Sequence, residues 1–75
     1  MCKFTIQLKS VNDVKDFVRL VSDTSYEVDL TSGRYIVDAK SIMGIFSLDL
    51  TKPIAVEIHG EAGEDLKKRL EIFVV

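Results

Sequence analysis

The feature that most constrains this chain is the way its hydrophobic period changes within a few residues. From the start, Cys2, Phe4, Ile6 and Leu8 alternate with Lys3, Thr5, Gln7 and Lys9. A period of two puts one side in a core and the other in water, which predicts a strand over residues 2–8. Directly afterwards Val11, Val14, Phe17, Val18 and Val21 recur at spacings of three and four. That spacing gathers them on one face of a helix. Ser10 stands where a side-chain oxygen can cap the first turn, and Asp13 lies near the positive helix end. The polar cluster from Ser22 to Ser25 predicts where the helix stops.

The period of two then returns. Tyr26, Val28 and Leu30 alternate with Glu27, Asp29 and Thr31, and Tyr35, Val37 and Ala39 alternate with Arg34, Ile36 and Asp38. Ser32-Gly33 between them suits a tight turn, because glycine accepts positive φ without steric cost, so the pair reads as a β-hairpin. A short helix is expected from Ser41 to Leu48, weakened by Gly44 at roughly 1 kcal/mol relative to alanine. Thr51-Lys52-Pro53 reads as a loop, since proline lacks the amide a ladder needs. Ile54, Val56 and Ile58 alternate with Ala55, Glu57 and His59 as a fourth strand that ends at Gly60. From Glu61 to Val75 a last helix is expected, with Ala62, Leu66, Leu70 and Phe73 on one face and its acidic residues ahead of its basic ones. The order is βαββαβα. Amphipathic strands of this kind suit an α+β fold whose antiparallel sheet has one covered and one wet face.

Composition removes several function classes. A chain of 75 residues, with one proline and no low-complexity tract, is expected to be one domain over 1–75. Its single cysteine, Cys2, cannot form an internal disulfide and reads as a core or strand-end residue in a reducing, cytoplasmic setting. No apolar run approaches the roughly 18 residues of a membrane span, and no signal peptide is visible. A formal net charge of -2 offers no basic face for nucleic acid. The partner expected is a protein.

The run Lys40-Ser41-Ile42-Met43-Gly44-Ile45-Phe46-Ser47-Leu48 holds more apolar residues than the inward face of a short helix can take. Ile45 and Leu48 are expected in the core, which leaves Ile42, Met43 and Phe46 outside. This run closely resembles the regulatory-serine segment of HPr, the histidine-containing phosphocarrier protein of the bacterial sugar phosphotransferase system. The likeness extends from Phe4 to the last helix. It implies the HPr-like open-faced β-sandwich, with three helices on one face of a four-stranded antiparallel sheet, and a last helix shorter than the family's. It further implies a non-enzyme that acts on proteins of the phosphotransferase system. Lys40, Ile42, Met43 and Phe46 would form its docking patch, and Ser41 would be open to a serine kinase.

The family's other signature is a Gly-Ile/Leu-His-Ala-Arg-Pro run at the start of the first helix. Counting back from Ser41 without gaps, its histidine falls on Ser10, its arginine on Asn12 and its proline on Asp13. No catalytic residue is therefore expected. A serine phosphoester is too stable to replace a phosphoramidate that must transfer in both directions, and Asp13 would repel an anionic phosphate. The lone histidine, His59, falls on the wet side of its strand beside Glu57, and this set gives no metal-ligand spacing. The reading is a regulatory or interaction module without a cofactor, with phosphorylation of Ser41 as the alternative. Oligomeric state is left open.

Overall fold

The computed structural model describes residues 2–61 and 63–75. Strand β1 spans Cys2–Ile6, helix α1 Val11–Ser22, strands β2 and β3 Glu27–Ser32 and Tyr35–Asp38, and helix α2 Ile42–Phe46. Strand β4 then spans Ile54–His59, helix α3 Gly63–Arg69, and a 3₁₀ turn Glu71–Phe73. The four strands form one antiparallel sheet in the order β1-β4-β2-β3. The core lies on one side of it. Ile6, Val28, Leu30, Ile54, Val56 and Ile58 point from the strands toward Val14, Phe17, Val21, Ile45, Leu66 and Leu70 from the helical side.

Local chemistry accounts for the elements. Ser10 Oγ accepts the Asp13 amide at 3.1 Å while the Asp13 carboxylate accepts the Lys9 amide at 2.9 Å, so the first turn of α1 is capped from both directions. The hairpin turns on Gly33 at φ 61, with Arg34 at negative φ. That combination fits the twist of two antiparallel strands joined by two residues. After β4 the chain turns through Gly60 at φ 156, where a Cβ would run into the Tyr26 ring. Only glycine fits there without displacing that ring.

Four expectations need correction. Strand β1 stops at Ile6 rather than Leu8, because its partner β4 begins at Ile54, after Pro53, and the Gln7 amide donates to the Phe73 carbonyl at 2.9 Å instead. The expected helix over 61–75 is confined to Gly63–Arg69. Its last turn tightens, with the Leu70 amide shared by the Leu66 and Lys67 carbonyls, and Val74 then forms an antiparallel bridge to Ile6. Ala62, placed on that helix's inner face from sequence, lies outside the described residues. Helix α2 ends at Phe46 instead of Leu48, and the Ser47 and Leu48 amides close back on the Gly44 and Ile45 carbonyls. Val11, grouped by spacing with the core residues, is exposed, and Val18 is only half-buried.

Cys2 is buried at the end of β1. Burial pushes its thiol pKa up, and the nearby Glu64 carboxylate adds to that by disfavouring a thiolate. A neutral buried thiol contributes fully to stability below the ordinary thiol pKa, and the contribution is lost as pH rises through the raised value. Cys2 should therefore react with a thiol reagent at pH 8 more slowly in the native protein than in denaturant, because the thiolate is the nucleophile. Equal rates, measured by mass spectrometry against time, would contradict this burial.

Candidate functional site

Helices α1 and α2 are in contact, and the first residue of α1, Val11, and the last of α2, Phe46, line one groove. Between them runs a groove of about 450 Å³, lined by Leu8, Lys9, Ser10, Val11, Phe46, Leu50 and Thr51, with Gln7 at one side. Gln7 Nε2 donates to the Thr51 carbonyl at 3.0 Å, which ties the loop after β1 to the loop before β4. The Asp49 carboxyl, held below the usual carboxylate range by the Thr51 hydroxyl and then the Thr51 amide, braces that same loop.

Helix α2 is capped by Ser41, whose Oγ accepts the Gly44 amide at 3.1 Å. Ile45 is fully buried and Leu48 nearly so, and they hold this segment to the core. Met43 and Phe46, three residues apart and so on neighbouring positions of the helix surface, are 78% and 42% exposed. Gly44 is the small residue where α2 meets β3, since a Cβ there would stand 3.3 Å from both the Val37 Cβ and the Ser41 Oγ. The glycine that weakens the helix therefore also lets it sit close to the sheet.

Two residues of the expected patch are placed otherwise. Ile42 is half-buried and packed against the core, because the first residue of so short a helix faces the same way as its neighbour one turn on, Ile45. Lys40 does not project from the patch. It is half-buried, and its ammonium donates to the Thr24 carbonyl at 2.8 Å. In exchange, sequence spacing missed Val11 and Leu50, which line the groove together with Phe46. The exposed apolar surface runs across the gap between two helices, and a pattern read one helix at a time does not contain it.

His59 lies on the sheet face away from the helices. Its Nε2 is 3.0 Å from Asp29 Oδ2 and 3.7 Å from Glu57 Oε1. Strand alternation with the buried Ile58 sets this placement, and His59 belongs to a different face from Ser10 and α2.

The family model described as the PTS HPr component phosphorylation site matches residues 5–74 of the chain. The chain belongs to the HPr family. Solved HPr structures share its fold. HPr-C-His from Thermoanaerobacter tengcongensis superposes with a TM-score of 0.84 at 27% identity, over 99% of this chain and 91% of that one. The phosphocarrier protein HPr from Bacillus anthracis str. Ames gives 0.78 at 22% identity, over 99% of this chain and 96% of that one. The histidine-containing phosphocarrier protein of Mycoplasma gives 0.80 at 13% identity, over 95% and 89%. Among curated proteins no sequence matches.

HPr proteins are phosphocarriers of the phosphotransferase system that work by meeting other proteins, and they are not catalysts. The open-faced sandwich expected from the sequence is the one observed, with α1, α2 and α3 on one face of the four-stranded sheet. Among the described residues no helix is long and apolar enough to cross a membrane.

Proposed function

We propose that this HPr-family chain is a protein-interaction or regulatory member that does not carry phosphate on a histidine, and that it docks partners through the segment Ser41–Leu48. The observation that carries this reading is the start of α1. The position that the family resemblance gives to the phosphocarrier histidine is Ser10, and its hydroxyl is taken up in capping Asp13. The Asp13 carboxylate sits at the same helix start, on the Lys9 amide, where it disfavours an anionic phosphate. His59, the only histidine in the sequence, is on the far side of the sheet. What remains at this end of the molecule is contact surface, with Met43 and Phe46 exposed and Val11 lining the groove. Methionine and aromatic side chains suit such a surface because they are adaptable and large in area.

Incubation with phosphoenolpyruvate and the first enzyme of the phosphotransferase system tests the claim. The expected result is no acid-labile label on the chain, measured beside a competent HPr that labels within seconds. Rapid acid-labile labelling would overturn it.

A second reading is supported by the exposure of Ser41, which caps α2 through its hydroxyl. A serine kinase acting there would add a dianion next to Met43 and remove the neutral cap. Treatment with the family's serine kinase followed by peptide mass mapping decides it, since an unmodified Ser41 leaves docking without a switch.

A further inference from the structure

Strand β3 is an open edge of the sheet. The opposite edge is closed by the chain itself, with Val74 bridged to Ile6, the Val75 amide on the Thr5 carbonyl at 3.1 Å and the Gln7 amide on the Phe73 carbonyl. The direction of the β3 backbone groups follows from its continuation, where the Ala39 amide donates inward to the Val28 carbonyl at 2.8 Å. Backbone groups of successive residues in an antiparallel ladder face alternate sides. Tyr35 and Val37 therefore bond to β2, and Ile36 and Asp38 turn their amides outward, while the Asp38 carbonyl already accepts the Ser41 amide at 3.0 Å and one oxygen of its carboxylate the Lys40 amide at 2.9 Å, which leaves the other oxygen for a partner. At this edge Tyr35 is 71% and Ile36 68% exposed. An uncovered strand carrying an aromatic and a β-branched residue, with no proline or bulge, is a template for a further strand.

We propose that β3 pairs antiparallel with β3 of a second copy of this chain, about a twofold axis through Ile36. In that register Ile36 meets Ile36, and Arg34 at one end stands opposite Asp38 at the other, twice. Tyr35 meets Val37 on the helix side. Opposite charges and aromatic to β-branched contacts are the cross-strand pairs that favour a ladder. A slip of two residues either way sets Ile36 against Asp38 or against Arg34 and breaks both ion pairs, so the charges select one register. A self-complementary strand closes as a dimer and leaves no β3 edge open. Four residues bury little area, so the association is reversible and needs high concentration.

Sedimentation equilibrium and amide hydrogen exchange between about 20 µM and about 1 mM test this. The native chain should move from monomer toward dimer, and the Ile36 amide should gain protection as concentration rises. R34D and D38R should each weaken association at least about tenfold, because each sets like charges opposite one another. An equimolar mixture of the two should restore the dimer, since both cross pairs are then of opposite sign. Arg34 is exposed in the turn, so R34D keeps its fold and decides the matter even if D38R does not. A native chain that stays monomeric at about 1 mM overturns the proposal. So does a dimer that R34D leaves intact, or one without protection at Ile36.

Discussion

Phe17→Ala should destabilise the protein by about 3–5 kcal/mol, the range for removing a fully buried aromatic side chain. Phe17 has no exposed surface, and its ring meets Phe73 edge-on at 5.9 Å and 76°. The truncation removes both the burial and this ring contact, and it leaves a cavity between α1 and the segment that closes the β1 edge. At roughly 0.05–0.15 kcal/mol per residue, a domain of this length has only about 4–11 kcal/mol in total. The variant should show a urea midpoint lower by about 2 M or more with a similar slope. A shift below about 0.5 M would mean that α1 is not held through Phe17.

The second large effect is expected on binding. Met43→Asp and Phe46→Asp should each weaken binding to the first enzyme of the phosphotransferase system by about 30-fold or more, equivalent to about 2 kcal/mol for a central contact residue. Thermal stability should stay within a few degrees, because Met43 and Phe46 are exposed. Lys40→Ala serves as the contrast. Its ammonium is committed to the Thr24 carbonyl, so it should change binding far less than Met43→Asp. Calorimetry on the three variants separates these outcomes. Equal loss from Lys40→Ala, or none from Met43→Asp and Phe46→Asp, would place the contact surface elsewhere.

The period of the sequence carried the fold because a half-buried strand or helix writes its inner face into its own residues. Val28, Leu30, Ile54, Val56 and Ile58 alternate inward as expected, and Val14, Phe17 and Val21 follow the helical spacing. The errors occur where a distant partner decides. Phe73 fits a helical stripe as well as it fits the 3₁₀ turn, and only Thr5, Ile6 and Gln7, far away in sequence, draw Val74 and Val75 out beside β1. At the site, the exposure of Met43 and Phe46 was legible from an excess of apolar residues on one short helix. The inward turn of Ile42 and the anchoring of Lys40 were not. Lys40 is fixed by a carbonyl 16 residues earlier, a contact with no local trace. Val11 misled for a related reason, since a helix's first residue can keep the spacing of the buried face and still project past the core.

Helix α2 has five residues, one fully buried side chain and a glycine at its centre. A helix of this length does not recover the cost of its own nucleation, so Ile45, Leu48 and the Ser41 cap keep it folded. The surface that presents Met43 and Phe46 therefore rests on a segment whose stability comes from tertiary contacts rather than from the helix itself. A partner that closes over it also suppresses whatever local opening this turn undergoes. The α2 amides should therefore exchange more slowly in the complex than in the free protein.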